Sequence, residues 1–282
     1  MTNVPEETDV ANPTGLANYD EQTQRDILQL RSLIEQCPPD GLVFFGGAGV
    51  STESGIPDFR SPQGLFAKDD SANQGSSSGL SGPIDRMPPE QIVSHTFFKS
   101  HPHEFFRFYF ERMVFPDARP NRAHHTLARL EHAGVCRAVI TQNIDGLHQA
   151  AGSKNVRELH GSVHRNHCEE CRRAFSLEEV LALHAQAADG MPRCTSCDGI
   201  VRPDVVLYEE PLDPSVMEGA IDAISKASML VVAGTSLVVY PAAGLLQYFQ
   251  GTHLAVVNLQ PTPMDRNANL CVAAKIGDVL DF

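Results

Sequence analysis

Short, almost entirely apolar segments alternate with segments of helical periodicity, and this alternation limits the folds open to the chain. The apolar segments are residues 42–45, 135–141, 229–233 and 254–258. The helical patterns cover residues 21–36, 123–132, 214–225 and 241–250. Strands that are apolar on both faces, with helices between them, are typical of a parallel sheet covered on both sides. We therefore predict an α/β fold built on a Rossmann-like parallel sheet.

Two segments interrupt the alternation and are predicted to be insertions. Residues 67–119 form a small helical lobe, in which a Ser- and Gly-rich loop at 71–83 precedes aromatic helices over 89–112. Residues 164–202 form a second module that carries paired cysteines. The sheet domain then comprises residues 20–66, 120–163 and 203–282, after a flexible N-terminal tail over 1–19.

Composition and charge exclude several classes of protein. The 282 residues include 35 acidic and 22 basic side chains, a formal net charge of -13, and 42% are hydrophobic. This apolar content argues against a disordered or collagen-like chain. The acidic balance argues against broad binding to nucleic-acid phosphates, which requires clustered Lys and Arg.

The sequence also bears on cellular location. Residues 1–19 are polar and lack the apolar core that a signal peptide needs. Residues 227–249 carry no charge, but Gly234, Pro241 and Gly244 divide them into pieces too short for a spanning helix. We expect a cytoplasmic monomer with no membrane or nucleic-acid partner.

Four of the seven cysteines form two Cys-x-x-Cys pairs, Cys168 with Cys171 and Cys194 with Cys197. Four thiolates are the ligand set of a closed, tetrahedral structural zinc site. Because protein ligands fill all four positions, one zinc ion per chain would stabilise the fold and take no part in catalysis. Four unrelated buried thiols, or a redox pair, account less well for the repeated spacing.

A glycine-rich turn, Gly47-Ala48-Gly49, directly follows the first apolar segment. Such a turn allows a pyrophosphate to approach the backbone N–H groups at a helix start. Thr52 replaces the third glycine of the usual fingerprint, and no acidic residue clearly ends a second strand. On these residues alone, a dinucleotide site and an ordinary strand-to-helix turn both remain open.

Longer motifs make the sequence more specific. They are Gly-Val-Ser-Thr-Glu-Ser-Gly-Ile-Pro-Asp-Phe-Arg-Ser at 49–61, Thr-Gln-Asn-Ile-Asp-Gly-Leu-His at 141–148, Glu-Leu-His-Gly at 158–161, Gly-Thr-Ser-Leu-Val-Val at 234–239 and Val-Asn-Leu at 257–259. In this order, with the four cysteines in place, residues 25–282 resemble the sirtuins, a family of NAD-dependent protein lysine deacylases. Gly46 stands where that family usually has Thr, and Glu209 where it commonly has Gly.

The resemblance implies an activity and its catalytic residues. The acetyl group of acetyl-lysine would pass to ADP-ribose, with release of nicotinamide from NAD. His160 would be the general base towards the ribose hydroxyls, a task that suits an imidazole near neutral pH. Asn143 and Asp145 resemble the pair that orients the ribose, a water and the nicotinamide amide.

The resemblance also implies the contacts of both substrates. The residues expected to line the NAD site are Gly47, Ala48, Gly49, Ser51, Thr52, Ile56, Asp58, Phe59, Arg60, Gln142, Asn143, Asp145, Gly234, Thr235, Ser236, Asn258 and Ile276. An acyl-lysine peptide would pair as an added strand with one segment and lie against a second. Those two segments are Val205-Val206-Leu207-Tyr208 and Val238-Val239.

Several alternatives stay open at this level. Tyr109 and Arg112 have the Tyr-x-x-Arg spacing of members that remove acidic acyl groups, but those members usually carry Thr in place of Asp58, and the two residues could instead lie on a helix surface. An apolar pocket for acetyl or longer aliphatic groups is the default expectation. The same NAD site could serve mono-ADP-ribosyl transfer or NAD sensing, and the cysteines alone could indicate a nucleic-acid-binding zinc ribbon.

Overall fold

A parallel sheet lies at the centre of the computed structural model, which describes residues 15–59, 64 and 87–282. Six strands of the described chain form it, in the spatial order β3 (Val156–Glu158), β2 (Cys136–Thr141), β1 (Leu42–Gly46), β7 (Met229–Ala233), β8 (His253–Val257) and β9 (Leu270–Val272). All neighbours pair in parallel, which confirms the predicted fold class. The sequence predicted the four longer strands, whereas β3 and β9 are too short to show an apolar pattern.

The order of the strands creates a switch point beside β1. From β1 the chain builds the sheet outwards through β2 and β3 on one side, and through β7, β8 and β9 on the other. Gly46 at the end of β1 pairs with Thr141 of β2 and Ala233 of β7. The segments that follow these three strands therefore meet at one edge, which is where open α/β sheets bind ligands.

Helices cover both faces of the sheet. On one face, α1 (Glu21–Glu35) and α5 (Arg122–His132) pack against a core that includes Phe44. On the other, α8 (Pro214–Ser225) and a 3-10 helix (Ala242–Tyr248) pack against a core that includes Val43 and Phe45. Alternate side chains of one strand thus enter opposite cores, as the pleat requires.

The aromatic lobe, residues 89–112, consists of α2 (Pro89–Ile92), α3 (His95–Ser100) and α4 (Pro102–Arg112). Its buried centre contains Phe97, Phe98, Phe105, Phe106 and Tyr109. The lobe agrees with the helices expected over 89–112. The Ser- and Gly-rich loop at 71–83 lies outside the described residues.

The cysteine module, residues 161–205, is a three-stranded antiparallel sheet with one helix. Its elements are β4 (Gly161–Cys168), β5 (Ala174–Ser176), α7 (Leu177–Gln186) and β6 (Val201–Val205). The predicted limits of 164 and 202 fall inside β4 and β6, because both strands continue without a break towards the sheet domain. The N-terminus of α7 is fixed by a capping box between Ser176 and Glu179.

Residues 15–19 differ from the predicted tail over 1–19. Leu16–Asn18 form a short 3-10 helix, and Leu16 and Tyr19 pack against the core that contains Phe44. The prediction failed here because a few polar residues without periodicity gave no sign of a long-range contact. Within the described part of the chain, no helix has the length and apolarity needed to cross a membrane.

Candidate active site

A cavity of about 1110 Å³ opens at the switch point, between the sheet, the aromatic lobe and the cysteine module. Every residue predicted to contact NAD lines it, except Arg60, which lies outside the described residues. His160 lines it as well. Residues that are distant in the sequence therefore share one cavity wall, because the strands that carry them end at the same edge.

The glycine-rich turn after β1 is held against the turn after β7. The Gly47 N–H donates to the Ala233 carbonyl at 3.1 Å, and the Gly49 N–H donates to the Gly234 carbonyl at 2.8 Å. A Cβ atom on Gly49 would lie 2.7 Å from Gly234 Cα, so the approach requires glycine. Gly47 and Gly49 allow the turns after β1 and β7 to approach closely, and their N–H groups donate to protein carbonyls. The sequence had suggested that these N–H groups meet a pyrophosphate.

Thr52 has a structural role in the same turn. Its hydroxyl donates to the Gly49 carbonyl at 3.0 Å. The turn continues as two 3-10 helices, Ala48–Val50 and Thr52–Ser54, whereas the usual fingerprint leads into an α-helix. The replacement of the third glycine by Thr52 thus coincides with a departure from the ordinary dinucleotide turn.

Asn143, Ser51 and Asp145 form a continuous hydrogen-bonded chain. The Asn143 side-chain amide donates to Ser51 Oγ at 3.0 Å, and the Ser51 hydroxyl donates to Asp145 Oδ2 at 2.7 Å. The Leu147 N–H donates to Asp145 Oδ1 at 2.9 Å, which closes an Asx turn. Ser51 thereby joins the turn after β1 to the segment after β2, a bridge that the motifs did not indicate.

Burial and hydrogen bonding shift the pKa of the Asp145 carboxyl group in opposite directions. Burial raises its pKa, while the hydrogen bonds from Leu147 and Ser51 lower it, and the net direction is upwards. Ser51 is therefore important for keeping this carboxylate in its charged form. As a carboxylate, Asp145 acts only as an acceptor towards its neighbours.

His160 is held by one ring nitrogen and can act with the other. Its Nδ1 lies 2.9 Å from the Gln142 carbonyl oxygen. A carbonyl only accepts, so Nδ1 carries the proton and Nε2 is left to accept one. Burial lowers the pKa of His160 despite the opposing hydrogen bond to Gln142, which favours the neutral form that a general base requires.

The orientation of His160 is linked to the turn after β7. The Gln142 side-chain amide donates to Thr235 Oγ1 at 3.0 Å, and the Leu237 N–H donates to the same hydroxyl at 3.2 Å. Gln142 thus holds the histidine through its backbone and the turn through its side chain. Both contacts fix the imidazole relative to the segments that follow β2 and β7.

The peptide segments are only partly placed along the cavity. Val205, Val206, Leu207, Tyr208 and Val239 line it. Val238 does not line it, and its side chain is 53% exposed. Residues 205–208 therefore lie beside His160, as the expected peptide contact requires.

The pairing expected of residues 205–208 with a peptide stays a prediction, and the backbone of Tyr208 at the end of this segment is already hydrogen-bonded. The Tyr208 N–H donates to the Val93 carbonyl, and the His95 N–H donates to the Tyr208 carbonyl, both at 3.0 Å. The strand itself ends at Val205. A peptide can therefore not use the backbone of Tyr208, which already pairs with the aromatic lobe.

Tyr109 and Arg112 do not contribute to the cavity wall. Tyr109 is buried in the aromatic lobe, where its ring stacks on Phe105 with centroids 5.9 Å apart. Its placement on a helix surface was a wrong expectation, because the ring fills the apolar centre of the lobe. Val93 of the lobe, Met113 directly after it and Leu181 of the module line the cavity instead.

The four paired cysteines converge on one point in the module. Their sulfur atoms all lie within 4.8 Å of one another, with Cys168 to Cys197 at 3.5 Å and Cys171 to Cys194 at 3.6 Å. Four thiolates around a tetrahedral zinc ion at about 2.3 Å have sulfur atoms about 3.8 Å apart, so the set fits zinc. None of the four lines the cavity.

The two Cys-x-x-Cys turns have the same backbone geometry. Arg172 and Asp198, which follow the second cysteine of each pair, have φ angles of 62° and 63°. Their N–H groups donate to the carbonyls of Cys168 and Cys194 at 3.1 and 2.9 Å. Two equivalent turns thus present two thiols each, which is the arrangement of a closed structural zinc site.

Fold and site together define an α/β protein with a deep cleft at its switch point and a zinc-binding module beside that cleft. The Sir2 family model matches residues 47–241. An NAD-dependent protein deacetylase of Clostridium acetobutylicum is 50% identical over 255 residues, which cover 90% of this chain and 96% of the relative. The chain belongs to the Sir2 family.

Other relatives and solved structures agree with this assignment. An NAD-dependent protein deacetylase of Clostridium perfringens is 51% identical over 255 residues, 90% of this chain and 96% of its own. A structure of Sir2 with a p53 peptide and NAD+ has a TM-score of 0.73 at 38% identity, covering 89% of this chain and 94% of that one. A structure of Sir2 bound to acetylated peptide has a TM-score of 0.72 at 36% identity, covering 90% and 95%.

Proposed function

We propose that the protein is an NAD-dependent protein lysine deacetylase, which transfers the acetyl group of acetyl-lysine to ADP-ribose and releases nicotinamide. The observation that carries the proposal is His160, held in one tautomer by the Gln142 carbonyl at the wall of the cavity. Relatives named NAD-dependent protein deacetylases at about half identity support it. So do the Sir2 structures that contain NAD+ or acetylated peptide.

The side chains divide the chemistry between them. NAD, as co-substrate, supplies the ribose carbon to which the acetyl oxygen bonds while the bond to nicotinamide breaks. His160 accepts a ribose hydroxyl proton at Nε2, which is available because Nδ1 is committed to Gln142. Asn143 and Asp145 hold the ribose and the nicotinamide amide, and Ser51 keeps both in place.

The apolar wall favours uncharged acyl groups. Val93, Met113 and Leu181 line the cavity, and Tyr109 and Arg112, which a Tyr-x-x-Arg mechanism would require, do not. An acidic acyl group would lose hydration on this wall without gaining a partner from that pair. Acetyl and short aliphatic chains are therefore the preferred substrates.

The cellular setting is part of the same proposal. The substrates are acyl-lysine proteins or peptides, and the enzyme acts as a cytoplasmic monomer without direct contact to nucleic acid or membrane. The formal net charge of -13 supports the separation from nucleic acid, because it disfavours binding to phosphate backbones. Size-exclusion chromatography with light scattering tests the monomer.

The decisive assay offers the enzyme labelled NAD and one peptide in acetyl, butyryl, myristoyl and succinyl forms. We expect free lysine from the acetyl and butyryl peptides, and little from the succinyl peptide. Label that remains on protein, with no free lysine, would indicate ADP-ribosyl transfer instead. Efficient release of succinate would overturn the acyl preference alone.

A further inference from the structure

Residues near the two chain ends meet through the hydroxyl group of Tyr19. This hydroxyl donates to Asp278 Oδ2 at 2.8 Å and accepts from the Lys275 N–H at 3.1 Å. Gly15 lies so close that a Cβ atom on it would be 2.6 Å from Asp278 Oδ1. The segment that the sequence presented as tail is therefore fitted against residues 275–278.

Asp278 connects this contact to the loop that follows β1. Arg122 donates to Asp278 Oδ1 at 2.6 Å and lies 3.5 Å from Glu53 Oε1. Glu53 Oε2 accepts from the Gly277 N–H at 2.8 Å. We call the four side chains of Tyr19, Asp278, Arg122 and Glu53 the clasp.

The clasp lies directly behind one end of the cavity. Ile276, which adjoins Gly277, lines the cavity together with Lys275, and so does Thr52, which adjoins Glu53. The wall formed by Lys275 and Ile276 and the wall that contains Thr52 are thus connected, on the side away from the cavity, by hydrogen bonds and ion pairs. Asp278 is only 8% exposed, so its bonds to Tyr19 and Arg122 are partly shielded from water.

A separate anchor holds the same segment to helix α1. Arg31 donates to the carbonyls of Asp278 and Val279 at 2.7 and 3.0 Å. Loss of the Tyr19 hydroxyl therefore leaves the C-terminal segment docked and removes only the bonds from Tyr19 to Lys275 and Asp278. This makes a local effect separable from unfolding.

We propose that residues 15–19 act through Tyr19 to position the Lys275–Ile276 wall for the adenosine half of NAD. Tyr19 and Asp278 are positioning residues, since neither lines the cavity. The inference rests on the proposed function, because it takes NAD as the ligand. It assigns a role in cofactor affinity to a segment that the family motifs do not include.

The test uses the full-length protein and the Tyr19→Phe variant, with Tyr248→Phe as the matched control. Tyr248 is a 40% exposed tyrosine that does not line the cavity. We expect Tyr19→Phe to raise the KM for NAD, and the Kd for ADP-ribose measured by calorimetry, about fivefold. The KM for acetyl-peptide, kcat and inhibition by nicotinamide should stay within about twofold, and Tyr248→Phe should match the wild type.

Unchanged affinity for ADP-ribose in both Tyr19→Phe and Asp278→Asn would overturn the inference. So would an equal loss of affinity for peptide and ADP-ribose together with a lower Tm, which would mean a general structural role. Should Asp278→Asn fold poorly, unchanged affinity for ADP-ribose in Tyr19→Phe alone overturns the inference. A wild-type protein that binds ADP-ribose without deacetylating peptide would refute the proposed function, and the binding comparison would still decide the inference.

Discussion

The cysteine module and the cavity both contain clustered reactive side chains, but these side chains surround a closed point in the module and border open space in the cavity. In the module, four sulfur atoms within 4.8 Å of one another surround a single point. In the cavity, His160 is bound on one side by Gln142, and the rest of its ring borders open space. A closed set has no position for a reactant and can only stabilise the fold, whereas an open set has room for chemistry.

The two regions also differ in the interactions that stabilise them. The module depends on one predicted ion, because few apolar side chains cluster around its cysteines. The cavity wall depends on bonds between distant segments, such as the one from Ser51 to Asp145. Damage to the module should therefore be global, and damage to the cavity should be specific to catalysis or to a substrate.

The largest effect is expected from Cys171→Ser. Loss of one thiolate should release the zinc ion and lower the free energy of unfolding by more than about 3 kcal/mol, with activity lost as a consequence. Metal analysis and thermal unfolding measure it. Cys271→Ser is the control, because Cys271 is exposed and outside the cluster. Full zinc content in Cys171→Ser would contradict the claim that the module depends on a zinc ion held by all four cysteines.

His160→Ala should show the opposite pattern. Removal of the base should lower kcat by about a thousandfold, since general-base catalysis contributes on that order. Zinc content and Tm should remain at wild-type values, as in a His132→Ala control at an exposed position. Substantial deacetylation by His160→Ala would remove this residue from the mechanism.

Ser51→Ala tests the bridge between the two turns. Without its hydroxyl, Asp145 loses one donor and Asn143 loses an acceptor, so the pKa of Asp145 should rise further. We expect kcat/KM for NAD to fall about tenfold to thirtyfold at neutral pH, with less loss at higher pH. A Ser225→Ala variant at the end of α8, a half-buried serine that does not line the cavity, provides the comparison. An unchanged pH profile would contradict the account.

The pH dependence of wild-type activity should distinguish titration of His160 in the cavity from loss of zinc by the module. Burial lowers the pKa of His160, so the neutral base persists at pH values below the 6.5 of a free imidazole. The kcat/KM should therefore be retained at pH 6.5 and fall only as pH decreases through the lower pKa. Parallel measurement of zinc content is the control, and loss of metal at the same pH would assign the fall to the module.

What could be predicted from the sequence was local or regularly spaced. The four longer strands and the cysteine ligands follow from apolar runs and from repeated spacing. The resemblance pointed to residues that the fold brings to one cavity, and their individual roles stay predictions. The Tyr-x-x-Arg spacing was misleading, because it does not show that Tyr109 points into the lobe.

What could not be predicted depends on contacts between distant positions. Ser51 and Asp145 lie 94 positions apart, and Tyr19 and Asp278 lie 259 apart. Such pairs produce no periodicity, and a single polar residue in a sequence does not indicate its partner. The backbone hydrogen bonds of Tyr208 are a further example of contacts between distant positions, since its partners Val93 and His95 come from the aromatic lobe.

The stoichiometry of the reaction tests the central claim most directly. The purified protein is incubated with NAD and an acetyl-lysine peptide, and released nicotinamide and free lysine are quantified together. Transfer of the acetyl group to ADP-ribose predicts equal molar amounts of both products, both formed about a thousandfold more slowly with His160→Ala. Nicotinamide without free lysine, or free lysine without consumption of NAD, would contradict the account.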